Sequence, residues 1–374
     1  MDKVKVIIWG CGNLAKLAFK SLEENKVSFL GFTSNNNKDR ENVHRYIDKK
    51  ELSKIKFDYI LIASQYHVEI IEEIMKLGID ASKVINFFKI HNRNFKLINY
   101  LNLKEEVDAV AIGMSYGECG INPEFLSFKL FNLALSSQDI YYDDKTLRYL
   151  IEKKKIRKVI FELPYYILNY DLSRTKNMDL CYTNYYYIFN DLHSYDKVDF
   201  NLNEFLIYEN IINEKVYNDR FNEFYCSGNF EREFRIYDEI MAKESIQEVE
   251  NFGDDIIKNY KLYFVRQYKD TIEENKGILE GLLGFLNKQG VNVYFVVTPS
   301  LLRYNNDIFL ESKNKFHEYM GDLKEKYKFD LYDFFEDEDF KYADFKDYTH
   351  LNYNGSKKFT KKLNRKLKNN LEEL

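Results

Sequence analysis

The chain has 374 residues, 45% of them hydrophobic and 17% aromatic, with a formal net charge of −5; that is apolar material enough for two cores, or for one core with a large insertion. Lysines are dispersed rather than gathered into a basic tail, so no nucleic-acid partner is expected. No apolar run approaches the roughly 20 residues that cross a bilayer, so no transmembrane segment is expected either.

The N-terminus turns polar too early for a secretion signal. Cys11, Cys119, Cys181 and Cys226 form no C-x-x-C pair, which predicts free thiols in a cytoplasmic protein and no metal site. Residues 4–10 (VKVIIWG) read as a buried strand running into a turn at Cys11, Gly12 and Asn13. A helix carrying Leu14, Leu17, Ala18 and Leu22 follows. Further strands are predicted over 27–32, 57–63 and 84–88, with a helix over 68–77 stopped by Gly78. Strands alternating with helices predict a Rossmann-like parallel α/β domain over residues 1–103.

The turn at Gly10, Gly12 and Asn13 places backbone N–H groups where an anion is received, and makes these three residues candidates for holding a nucleotide or dinucleotide. Ala15 stands at the third glycine of the dinucleotide signature, and no clear acidic residue follows 31–35 to hold a ribose. A docking or regulatory domain is the other reading. Ser64 and His67 fall on the same rim, Ser64 as a cap and His67 as a surface residue.

Residues 89–104 lack a steady period and read as a connection, with the boundary near Leu103. A second domain is predicted over 104–374. Its strands are expected over 107–113, 128–135, 158–163, 291–297 and 329–334. Helices are expected within 147–154, 271–289 (stopped by Gly290), 316–326 and 356–374; in the last, Phe359, Leu363, Leu367 and Leu371 form one packing face. The interval 164–268 is too long for an unstructured loop and reads as an insertion covering one side of the site, its many aromatic residues mainly packing.

Ser115 follows the strand 107–113 at a glycine-flanked turn, where a hydroxyl stands clear of the core. A serine needs an adjacent base. Asp347 and His350 can supply one, the carboxylate receiving the imidazole Nδ1 proton and Nε2 facing the serine. Arg303, after the strand 291–297, is a candidate for an anionic substrate group.

Gly113-Met114-Ser115 and Asp347-Tyr348-Thr349-His350, in this order and these strand contexts, resemble the first and last blocks of the SGNH (GDSL-like) hydrolase superfamily. Its carbohydrate esterase and O-acyltransferase branches are included, and the resemblance spans about residues 105–374. It implies a flavodoxin-like α/β/α domain in which Ser115 is the nucleophile, His350 the base and then acid, and Asp347 the orienter, with no cofactor required. Three departures stand out. Met114 replaces the aspartate usual before the serine. The second block, 132–139, lacks its glycine, leaving an N–H of Ser136 or Ser137 as oxyanion donor; Gln138 and Asp139 either contact a polar acceptor or cap the next helix. The third block is absent, with Glu162 to Tyr166 in its place and Asn169 the remaining candidate for its side-chain donor.

The expectation is a serine-dependent transfer or hydrolysis of a small acyl group on a bacterial surface polysaccharide or its precursor, with polysaccharide-assembly enzymes as partners. The alternatives are a phosphoryl-type group transferase on a surface glycan, favoured if Arg303 enters the site, a noncatalytic glycan-assembly or ligand-binding protein, and a dinucleotide-dependent enzyme built on the N-terminal domain.

Overall fold

The computed structural model describes residues 3–88, 94–175, 178, 180–181, 184–185, 187–189, 191–193, 268–304 and 306–372. The expected insertion is described in part as far as residue 193; 194–267, with Cys226, lies outside the described residues. The protein is α/β, with two parallel sheets in two compact units.

In the N-terminal unit β1 (Val4–Trp9), β2 (Val27–Thr33), β3 (Tyr59–Ile62) and β4 (Val84–Ile85) form a sheet of order β2-β1-β3-β4, every pair parallel. Its helices are α1 (Asn13–Lys20) and α2 (His67–Lys76). β1 is an unbroken apolar run, with Val6, Ile7, Ile8 and Trp9 fully buried, as expected of a central parallel strand covered on both faces. Gly78 takes φ +70° after α2, the left-handed stop read from the sequence. The strand expected over 84–88 is only two residues long.

The chain enters the second unit at Asn94, ten residues before the expected boundary. The cause is a helix, α3 (Phe95–Asn102), capped by Asn94. Its Leu97 and Tyr100 are buried in the second core.

That unit is built on β5 (Ala109–Ile112), β6 (Leu130–Asn132), β7 (Lys158–Glu162), β8 (Asn292–Val297) and β9 (Asp330–Asp333). Their order is β6-β5-β7-β8-β9, all parallel. Counted within the unit this is 2-1-3-4-5, the flavodoxin-like order, and the switch point lies between β5 and β7. Its helices include α4 (Ser115–Gly120), α5 (Ile140–Lys153), α6 (Lys269–Lys288), α7 (Asn306–Lys326) and α8 (Tyr353–Glu372). α5 and α7 begin seven and ten residues earlier than expected.

Side-chain alternation along the strands divides the core. Val110, Ile112, Val159, Phe161, Val293 and Phe295 face one cluster with residues of α3, α5, α6 and α7. Ala109, Ala111, Ile160, Tyr294 and Val296 face the other, closed by Phe359, Leu363 and Leu367 of α8. Burying each of these three side chains is worth about 2 kcal/mol. The opposing clusters make the unit three-layered. They hold the carboxyl ends of β5 and β7 side by side, where such sheets bind ligands.

Candidate functional site

The site is built from the end of β5. Gly113 takes φ +122°, and a Cβ there would lie 2.4 Å from the Glu162 carbonyl oxygen. Only glycine lets the chain turn so closely against β7. Met114 precedes the helix, and Ser115 is the first residue of α4, which sets its hydroxyl at the sheet rim. The side chain of Glu162 holds this turn from below, its Oε2 accepting from the N–H groups of Met114 (3.0 Å) and Gly117 (3.3 Å).

The partner segment is folded by its own local bonds. Phe345 bridges Leu351, Lys346 N–H donates to the His350 carbonyl (3.0 Å), and Asn352 N–H donates to the Asp344 carbonyl (2.9 Å). Asn352 Oδ1 accepts from Gly355 N–H (3.0 Å) at the start of α8. Gly355 is obligatory, because a Cβ would lie 2.0 Å from the Asp344 carbonyl oxygen. The loop after β8 fastens the turn, Leu301 N–H donating to the Tyr348 carbonyl (3.0 Å).

These two pieces meet. His350 Nε2 lies 2.7 Å from Ser115 Oγ, and His350 Nδ1 lies 3.0 and 2.9 Å from the two Asp347 oxygens. Asp347 Oδ1 also accepts from the N–H groups of Thr349 (2.9 Å) and His350 (2.8 Å). Burial opposes the Asp347 charge. The His350 hydrogen bond and charge and the two backbone donors outweigh it and hold the carboxyl well below the usual carboxylate range.

Tyrosines to which the sequence assigned no role complete the wall. The Tyr116 ring lies against His350, centroids 4.9 Å apart, and its hydroxyl is 2.8 Å from that of Tyr166. Tyr170 Oη donates to the Ser137 carbonyl (3.2 Å). One turn along α4, Glu118 accepts from Ser136 N–H (2.9 Å), Ser136 Oγ (2.6 Å) and Lys96 Nζ (3.1 Å). Burial raises Glu118, but Lys96, Ser136 and Lys346 prevail and lower it. Lys346 Nζ lies 3.2 Å from Cys119 Sγ, whose thiol burial pushes up.

The second-block candidates separate. The Ser136 N–H is spent on Glu118, so it is not an oxyanion donor. Ser137 stands at φ +66°, the left-handed conformation for which glycine is the default, and its N–H, like that of Ser115, pairs with no group among the described residues. Gln138 and Asp139 are internal. Gln138 Nε2 donates to Asp143 and its Oε1 accepts from Tyr185 Oη (2.6 Å). Asp139 caps α5 through Tyr142 N–H (3.1 Å) and accepts from Leu172 N–H (2.9 Å), so capping, not acceptor contact, is its place.

Asn169 closes a short 3-10 turn, Ile167–Asn169, half-buried and without a side-chain hydrogen bond among the described residues. Arg303 is not a substrate arm. It is buried and donates to the carbonyls of Ser300 (3.4 Å) and Phe340, tying the post-β8 loop to the segment before the Asp347 turn.

One group of metal-ligand type exists among the described residues. Donor atoms of Asp139, Asp171 and His193, all buried, lie within 4.8 Å of one another. His193 Nδ1 is 3.4 Å from Asp171 and Nε2 3.1 Å from Glu274. Burial lowers this histidine, but Asp171, Glu274 and Asp139 overcome it and push it up to about 9. An imidazolium therefore balances the carboxylates.

At the N-terminal rim, Gly10 takes φ +139° and a Cβ would lie 2.4 Å from the Ala63 carbonyl oxygen. Gly12 is the N-cap of α1 and Asn13 its first residue, with no side-chain cap. Ala15 is fully buried. His67 is buried rather than on the surface, its Nδ1 3.2 Å from Asn86 Nδ2 and its ring stacked on Phe88. Ser64 Oγ accepts from Tyr66 N–H (3.2 Å).

No curated protein matches this sequence. A solved structure from Streptococcus pneumonia, described as a "putative platelet activating factor", is similar to it at 11% identity and a TM-score of 0.40, over 81% of this chain and 99% of that one. Residues 2–85, the N-terminal α/β unit, match the family described as C2185-like, N-terminal.

Proposed function

We propose that the second unit is an SGNH-like serine acyl-transfer enzyme that moves or hydrolyses a small acyl group on a carbohydrate of a surface polysaccharide or its precursor. The observation that carries this reading is the 2.7 Å contact between Ser115 Oγ and His350 Nε2, with Asp347 on the other ring nitrogen. The carbohydrate acceptor rests on the resemblance of the two motifs.

In this reading His350 takes the Ser115 proton as Oγ bonds to the acyl carbon. The N–H groups of Ser115 and Ser137 face the developing oxyanion. Collapse expels the donor's leaving group with the proton from His350 and leaves an acyl-serine. His350 then deprotonates water or a sugar hydroxyl, whose attack returns Ser115. Asp347, ionised across the working range, keeps the imidazole oriented and stabilises its charged form.

Two of the rivals lose support. Phosphoryl transfer would be favoured by Arg303 in the site, and Arg303 is engaged by backbone carbonyls. A noncatalytic role would be favoured by Ser115 and His350 standing out of hydrogen-bond reach, and they lie 2.7 Å apart. The test is labelling of the full chain with a fluorophosphonate, followed by peptide mapping. The expected adduct is on Ser115, and its absence at saturating reagent rejects the reading.

A further inference from the structure

Beneath the Ser115 turn lies a carboxyl group that these steps do not use. Glu162 ends β7 and is fully buried. Its Oε2 accepts from Met114 N–H at 3.0 Å and Gly117 N–H at 3.3 Å, so a single oxygen pins the turn on both sides of Ser115. Both nearby glycines are shaped by the same residue. A Cβ on Gly113 would lie 2.4 Å from the Glu162 carbonyl oxygen, and one on Gly117 would lie 2.9 Å from the Glu162 Cβ.

The other oxygen, Oε1, is buried without a hydrogen-bond partner among the described residues. Asp143 from α5 and Tyr166 from the segment after β7 are the titratable groups coupled to this carboxyl. α4 meets it with backbone donors, β5 with Gly113, and β8 with Val296 in the ladder.

We propose that Glu162 is a positioning residue for Ser115: by accepting from Met114 and Gly117 through one carboxyl oxygen, it fixes the turn from which the serine hydroxyl points at His350. The proposal rests on the reading of Ser115 as nucleophile. Burial pushes Glu162 up to about 8, against the lowering effect of the two N–H groups. A charge-assisted hydrogen bond is shorter and about twice as strong as a neutral one. The turn therefore tightens as Glu162 loses its proton near pH 8.

The experiment compares the full-length protein with Glu162→Gln and Glu162→Leu by two readouts. One is the pH dependence of the Met114 and Gly117 amide resonances in protein isotope-labelled at methionine and glycine. The other is the rate of fluorophosphonate labelling at Ser115. In the unsubstituted protein both amides move with a midpoint near pH 8, and the labelling rate steps at the same pH. Glu162→Gln abolishes both steps while its rate at pH 7 stays within about threefold, the size of a partial hydrogen-bond change. Glu162→Leu labels about 100-fold more slowly, the usual cost of misplacing a reacting atom by an ångström.

A folded Glu162→Leu that labels at the unsubstituted rate overturns the proposal, as do amides indifferent to Glu162→Gln. If Glu162→Leu does not fold, the Glu162→Gln amides and pH profile decide. Amides that titrate in a protein never labelled at Ser115 reject the nucleophile reading and the positioning role with it. That pattern is distinct from labelling that persists without Glu162.

Discussion

The two sheets carry the same backbone device at the same place. After β1, Gly10 turns at φ +139° with its absent Cβ 2.4 Å from the Ala63 carbonyl; after β5, Gly113 turns at φ +122° with its absent Cβ 2.4 Å from the Glu162 carbonyl. In each case the glycine lets the end of the first strand pass against the neighbouring strand, at the switch point of a parallel sheet. The difference lies in what arrives at the rim. The first turn is followed by Cys11, Gly12 and Asn13, while α1 and α4 alike start without a side-chain cap. The second is followed by Ser115, met by an imidazole 235 positions later in the chain. The turn is a general rim of the fold; the chemistry is supplied by the elements brought to it.

The largest expected effect sharpens that contrast. His350→Ala should lower the rate of p-nitrophenyl acetate hydrolysis by on the order of 10⁴-fold or more, and adding Ser115→Ala should cost little further, because the groups act as a unit. Asp347→Asn should cost less, about 10²- to 10⁴-fold, by loosening the ring and its charge. Additive losses in the double variant would show that the two groups serve separate steps.

The glycines come next. Gly113→Ala and Gly10→Ala meet the same steric obstacle, so each should destabilise its own unit by about 1–3 kcal/mol, read as a lowered denaturant midpoint. Only Gly113→Ala should also slow hydrolysis. Equal losses of activity would break the contrast between the two rims.

The sequence made some of this legible and hid the rest for physical reasons. Ser115 and the Asp347–His350 pair were readable because each lies in a local signal, a glycine turn after an apolar run and a four-residue block. Glu162 and the tyrosines 116, 166 and 170 were not, since their roles exist only once β7 lies beside β5. Arg303 and Gln138 were misread because sequence position does not reveal whether a polar side chain turns outward or satisfies buried backbone and carboxyl groups. The helix α3, and with it the early start of the second unit, was hidden by its polar, aromatic composition. Leu97 and Tyr100 are buried in the core, and Leu101 and Leu103 pack against it.

Two carboxyls of the site should leave opposite marks on stability. Glu162 is raised to about 8 in the folded chain, against about 4.3 when unfolded. The native state keeps a proton that the unfolded chain has released, so this contribution is complete below the unfolded value and fades as pH climbs to about 8. Asp347 is held low, so its contribution is present above about 3.9 and is lost only as acid reaches its folded value. Denaturant midpoints should therefore fall between pH 5 and pH 8, with a shallower slope in Glu162→Gln. Burial also raises Asp143, which leaves a residual slope of the same sign. An unchanged slope would mean that Glu162 ionises alike in both states.

The smallest effect concerns Ser137, which holds a left-handed backbone at φ +66°. That conformation costs a non-glycine residue about 1–2 kcal/mol, and the Tyr170 hydroxyl bonded to the Ser137 carbonyl at 3.2 Å helps to hold it. Removing this bond in Tyr170→Phe should cost about 1 kcal/mol and slow hydrolysis about fivefold if the Ser137 N–H serves the oxyanion. Ser137→Gly relieves the strain directly, so it should raise the denaturant midpoint and, combined with Tyr170→Phe, recover most of the lost rate. A glycine that stabilises without restoring the rate would place the tyrosine's effect elsewhere in the aromatic wall, on Tyr166 and on Tyr116, whose ring lies against His350, and would remove Ser137 from the oxyanion site.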